Sequence, residues 1–371
     1  MGGTKTEWVS VPHPSVKKSM GKELEFSNLA DLVLLSDDLL ASIMEALGMT
    51  KFYVAAAVCH TWKRAVKAKL HEWRAVSHVE PLSLTGVHGG FIRPTYIARL
   101  PNGNFCVADS HLQVVSPDGC MLGRMAGSLT VGDCRPWGLV CDGTSIFVAL
   151  ASSSGGGQLL QLALDGNLLC AAPLGSSPLT GRVRYPDGLA LAASGLFMVD
   201  TRNDEVVAFD TVTLSVHNSF GGTGSAIGQL RYPLGIAAWG DELFVAERDN
   251  NRVQVFALEG GPRRLIGAAG AGPGRFYLPR GVAVTCGSSL NQPRLFVSEA
   301  CCVQVLTLSG KPLQMFEFYG ACMYFRMLSA RQCALGLDSR RGHLHGLLAD
   351  GPKMYVVDEG FQTLHVLKLC I

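Results

Sequence analysis

The chain has 371 residues, of which 48% are hydrophobic and 17% charged, and its net charge is +2. That length suits two or three domains, the low charge content excludes a disordered chain, and the near-neutral balance gives no global field for nucleic acid. Its 43 glycines exceed the usual share of roughly 7%, so frequent turns and short strands are expected.

Charge is unevenly spread. Residues 1–78 hold 10 Lys+Arg and 8 Asp+Glu, whereas 79–371 hold 22 of each, with three lysines (Lys311, Lys353, Lys368) against 19 arginines. The twelve cysteines form no C-x-x-C pair and sit in apolar runs such as Phe105-Cys106-Val107, so neither a metal site nor a disulfide framework is expected. Lys17, Lys18 and Lys22 without a continuous apolar core do not make a signal peptide. The stretch from Leu29 to Leu47 is broken by Asp31, Asp37, Asp38 and Glu45 and cannot span a bilayer. A cytoplasmic or nuclear protein with no membrane contact is expected.

Residues 1–33 read as a poorly ordered extension and 34–78 as a small all-α unit. Ser36 caps a helix whose first turn holds Asp37 and Asp38, favourable at the positive end of the helix dipole. Leu39, Leu40, Ile43, Met44 and Leu47 form one stripe, and Gly48 ends it. A second helix from about Thr50 carries Phe52, Ala55, Ala56, Cys59 and Trp62 on one side, and a third contains Leu70 and Trp73. So short a unit is marginal alone and needs a partner or the rest of the chain to cover it.

From about residue 79 the chain repeats itself. The recurring phrase is a glycine-rich loop, a proline or its equivalent, a short apolar strand and a second strand that ends in an acid in five of the six copies. Five copies start at Pro94, Pro136, Pro186, Pro233 and Pro279, and a sixth is placed at Ala334-Leu335-Gly336-Leu337-Asp338. The second strands end at Asp109, Leu150, Asp200, Glu247, Glu299 and Asp358. The recurring acids are expected to accept hydrogen bonds from the following turn. Four short strands per copy describe a propeller blade, so 79–371 is expected to be a six-bladed β-propeller. Its last blade would be closed by residues 79–85, which would otherwise leave an edge unpaired.

Two resemblances fit these halves. Leu35-Ser36-Asp37-Asp38-Leu39-Leu40-x-x-Ile43-x-x-x-Leu47, followed by Val58-Cys59-x-x-Trp62-Lys63-Arg64 and Trp73-Arg74, resembles the F-box, with Ser36 where that family usually has proline. Tyr232-Pro233-Leu234-Gly235-Ile236-Ala237 through Asp249-Asn250-Asn251-Arg252-Val253-Gln254-Val255-Phe256 resembles the NHL repeat. The F-box resemblance implies a substrate receptor of a Skp–cullin–F-box ubiquitin ligase. Leu35, Leu39, Leu40, Ile43, Leu47, Val58 and Trp62 would contact the Skp adaptor, and through it a cullin, while the propeller holds an unknown target.

Catalysis in the chain itself is not expected. The first strands carry almost nothing able to ligate a metal or move a proton, Asp187 and Asp338 being isolated, and His343 and His345 read as a solvated pair. No cofactor or metal is expected. Gly267–Gly274 lacks the Lys-Ser/Thr of a phosphate loop and matches Gly221–Gly228 one blade earlier, so it reads as repeat punctuation. A target-binding face is expected where Arg93, Arg135, Arg184, Arg231 and Arg280 flank the prolines, joined by Arg202, Arg248 and Arg252. Beside Trp137, Tyr185, Tyr232 and Tyr277 they could hold acidic peptide, phosphate or single-stranded RNA. An RNA-binding or scaffolding propeller is the alternative function, and a metal-dependent hydrolase or lyase a third.

Overall fold

The computed structural model describes residues 90–368, apart from 118, 126–133, 153–156, 175–182, 271, 286–291, 300–301, 318–343, 351–352 and 361. The helical unit, the strand expected at 79–85 and Asp338 therefore lie outside the described residues.

The described residues form six antiparallel sheets and no helix. Blade one comprises β1 (Ile97–Arg99), β2 (Phe105–Ala108), β3 (Leu112–Val115) and β4 (Met121–Arg124). Blade two holds β5 (Cys134–Cys141), β6 (Ser145–Ser152), β7 (Gly157–Ala163) and β8 (Leu168–Pro173). Blade three holds β9 (Pro186–Ala192), β10 (Gly195–Asp200), β11 (Glu205–Phe209) and β12 (Val216–Gly221). Blade four holds β13 (Pro233–Trp239), β14 (Glu242–Glu247), β15 (Arg252–Ala257) and β16 (Pro262–Ile266). Blade five holds β17 (Val282–Thr285), β18 (Arg294–Ser298), β19 (Cys302–Thr307) and β20 (Pro312–Glu317). Blade six shows β21 (Leu344–Asp350), β22 (Lys353–Asp358) and β23 (Thr363–Lys368).

Strand composition follows position in the blade. Second strands such as Phe105–Ala108 and Gly195–Asp200 are buried along their whole length, because both faces of a blade pack on neighbouring blades. Fourth strands such as Met121–Arg124 are mostly exposed. Six apolar clusters fill the six gaps between successive blades, each drawing on two of them. The last joins Tyr355, Val357 and Leu364 of blade six to Ile97, Phe105 and Val107 of blade one, and so closes the ring. Each large side chain sealed this way is worth roughly 1.5–3 kcal/mol.

The innermost strands meet through a recurring glycine. A Cβ on Gly138, Gly188, Gly235, Gly281 or Gly346 would fall within 3 Å of a carbonyl oxygen in the next blade, belonging to Asp187, Leu234, Arg280, His345 and Thr95 respectively. Backbone hydrogen bonds use this closeness: Gly235 N donates to Arg280 O at 2.8 Å and Gly346 N to Thr95 O at 2.7 Å. Blade one departs from the pattern, with Tyr96 in the glycine's place. Its side chain crosses the axis, and its hydroxyl donates to Leu234 O in blade four at 3.2 Å.

The sixth blade corrects the sequence reading. Its first strand is Leu344–Asp350 rather than 334–338. Leu344 pairs with Asp358 as Pro186 pairs with Asp200 and Pro233 with Glu247, so leucine occupies the proline's position. His345, expected in solvent, lies inside that strand and is 3% exposed.

Candidate functional site at the lead-in face

The loops leading into each first strand lie together at one end of the ring, held by the buried acids. Asp109 accepts from the amides of Ile92 and Arg93, and Asp200 from those of Arg184 and Tyr185. Glu247 accepts from Arg231 N, and Glu299 from Tyr277 N. The acids thus secure the loop ahead of their blade as well as the turn after it, where Asn203 and Asn250 also donate. A second tie joins neighbouring blades. Asp204 and Asn251, both with positive φ, accept from Tyr232 N at 2.6 Å and Leu278 N at 2.9 Å.

This scaffold positions the expected residues unequally. Arg93, Arg184 and Arg231 are exposed on the lead-in loops and Arg135 at the start of β5, while Arg248 and Arg280 are partly buried. Arg202 stacks over Tyr185 at 5.2 Å and Arg248 over Tyr232 at 4.7 Å. Trp137 packs edge-on against Tyr185 at 5.4 Å and against His345 at 6.1 Å. Arg252 does not join them. It turns inward, pairs with the fully buried Glu247 at 2.5 Å and donates to the carbonyls of Ser225, Ala226 and Gln229. Arg135, Arg184, Arg202 and Arg231 form no ion pair among the described residues.

Beneath this rim lies a polar group that sequence reasoning missed. The residue after each proline, or after Leu344, sits at the inner ring: Thr95, Trp137, Asp187, Leu234, Arg280 and His345, all but Trp137 meeting a neighbouring blade's glycine through the carbonyl. His345 Nε2 lies 2.9 Å from Arg280 Nη1 and 3.0 Å from Glu359 Oε2, and Glu359 also accepts from Arg93 at 2.6 Å. Burial pushes the Glu359 carboxyl up, but the hydrogen bond and charge of His345, then Arg93, outweigh it and hold it at about 2. Asp187 is fully buried and neither oxygen has a hydrogen-bond partner. Burial pushes it up to about 7, against the opposing pull of Tyr96 and Arg280. Asp187 thus lies buried within the field of Arg280. Aligning the position after each proline would have found this group, had blade six been placed at Leu344.

Among the described residues, no three His, Cys, Asp or Glu side chains gather as a metal-ligating set, and no helix is long and apolar enough to cross a membrane. The loops Gly221–Gly228 and Gly267–Gly274 have the same form. Each closes with a parallel bridge, Thr223 to Leu230 and Ala269 to Phe276.

Residues 230–256 match the family model described as the NHL repeat. The chain is a six-bladed β-propeller with an NHL repeat in blade four. No curated protein sequence matches it. Among solved structures it is similar to a gluconolactonase from Xanthomonas campestris, at 14% identity and a TM-score of 0.53, covering 79% of this chain and 98% of that one. It is also similar to virginiamycin B lyase from Staphylococcus aureus, at 15% identity and a TM-score of 0.50, over 79% and 99% of the two chains. A chain of the nidogen/laminin complex aligns at 15% identity and a TM-score of 0.50, over 75% and 88%. Two enzymes and a binding protein on one ring show the fold alone.

Proposed function

We propose that this chain is the substrate-recognition subunit of a Skp–cullin–F-box ubiquitin ligase. Residues 34–78 dock on the Skp adaptor, the lead-in face of the propeller holds the target protein, and the ligation chemistry belongs to other subunits. The adaptor half rests on the F-box pattern of Leu35, Leu39, Leu40, Ile43, Leu47, Val58 and Trp62. The observation that carries the recognition half is the pairing of Arg202 with Tyr185 and Arg248 with Tyr232. These rings are covered by guanidiniums, so they offer oriented donors for acidic protein groups rather than open faces on which bases could stack.

The test is affinity purification from cells, with mass spectrometry of what is recovered. Wild-type chain is expected to bring down adaptor and cullin, and the double variant Leu39→Asp, Ile43→Asp to bring down neither. Adaptor recovery unchanged by that variant sinks the reading. Salt-sensitive RNA affinity lost in Arg231→Glu would promote the RNA-binding alternative instead.

A second reading, a propeller hydrolase or lyase, draws on the hydrogen-bonded His345–Glu359 pair. His345 is nearly fully buried and packs edge-on against Trp137, so a substrate would have to open that packing. Turnover abolished by His345→Ala in purified protein would support it.

A further inference from the structure

The charges at the centre of the lead-in face do not balance. Glu359 is matched by Arg93 and His345, and Asp187 is held near neutrality. Arg248 has a single carboxylate nearby, Asp249 at 3.8 Å, too distant for a hydrogen bond. Arg280 contacts His345 and forms no ion pair among the described residues. Burial, and then the charge of Arg248, lower the Arg280 pKa against the opposing pull of Glu359 and Asp187. The Nε of each is buried without a hydrogen-bond partner. Two like charges close together are destabilising in the free protein, and an oxyanion accepting from their Nη groups offsets that repulsion, although the buried Nε atoms stay beyond its reach.

We propose that Arg248 and Arg280 form an oxyanion subsite at the centre of the lead-in face, filled by a phosphate or carboxylate group of the target protein. Tyr232 orients the first guanidinium by stacking; the second lies 2.9 Å from His345 Nε2, which can accept from it only when it does not donate to Glu359. This inference rests on reading that face as the recognition surface, and it names what the surface recognises.

The probe is inorganic phosphate, titrated into the full-length chain near neutral pH at low salt and followed by phosphorus NMR line width. Saturable binding is expected, weakened about tenfold or more by Arg248→Gln and by Arg280→Gln, and unchanged by Arg124→Gln on the exposed fourth strand of blade one. Thermal melts check folding. If Arg280→Gln does not fold, Arg248→Gln, closer to the surface, carries the test. Acetate in a parallel titration separates the sources: competition by acetate at similar concentration points to a carboxylate, and its failure to a phosphate.

Non-saturable broadening, or equal affinity in Arg248→Gln, overturns the subsite. So does an oligouridylate that binds while phosphate does not, which would make the face a nucleic-acid surface. If phosphate binds through these arginines but no adaptor is recovered from cells, the ligase reading falls and the subsite stands. If Arg248→Gln recovers adaptor and target as wild type does, the subsite falls and the ligase reading stands.

Discussion

The Tyr96 hydroxyl in blade one donates across the ring to the carbonyl of Leu234 in blade four, at 3.2 Å. Blades two to six place glycine at the equivalent position, so a single aromatic side chain fills space that the repeat otherwise leaves at the axis. Tyr96→Phe keeps the ring and deletes the bond. An expected loss of about 1 kcal/mol is measured by urea unfolding.

Stability should depend on pH through the buried carboxyls. Asp187 and Glu299 keep their protons up to about 7, against ordinary values of 3.8 and 4.5. Between those limits the folded state binds more protons than the unfolded state. Their contribution is therefore full below the ordinary values and is lost as pH rises to about 7. Glu359, held at about 2, acts in the opposite sense: its contribution is present above 4.5 and is lost as pH falls toward 2. Asp187→Asn should flatten the decline between about pH 5 and about 7.5 and melt several degrees above wild type at the upper end. A melting series across that range checks it.

Arg252 and Arg248 lie four residues apart and should fail differently. Arg252→Ala strands the buried Glu247 carboxylate, and truncating one member of such a pair typically costs about 3–5 kcal/mol. Denaturant unfolding should show that loss, with little rescue by Arg252→Lys, since lysine cannot reproduce a fork that also reaches three carbonyls. Arg248→Ala should leave the unfolding midpoint within about 0.5 kcal/mol of wild type.

Gly281→Ala tests the packing of the inner ring. The added Cβ would collide with His345 O, a backbone atom that cannot swing aside. Relief requires separating blades five and six, so a loss of roughly 3 kcal/mol or more is expected. Ala at Gly103, where a Cβ meets nothing but φ is +86°, should cost about 1 kcal/mol. Calorimetry of both variants distinguishes crowding from backbone strain.

The repeat was legible because most blades reuse the same solutions: a buried apolar second strand, an acid at its end (Leu150 in blade two), and a glycine where inner strands touch (Tyr96 in blade one). Blade six was misplaced by ten residues because Leu335-Gly336-Leu337 imitates the true His345-Gly346-Leu347, and neither follows a proline. The axial group stayed hidden for another reason. Thr95, Trp137, Asp187, Leu234, Arg280 and His345 share no chemistry, and only ring closure brings them together. Arg252 looked like a surface residue since Asp249, Asn250 and Asn251 before it are polar. The Glu247 beneath it, fully buried, is a fact of three dimensions.

The carboxylates that clasp the lead-in amides have an evolutionary corollary. Each anchors main chain rather than a particular side chain, so the outward residues between anchors can be exchanged while the loop keeps its course. Specificity on such a surface can drift one residue at a time, with the underlying frame left undisturbed.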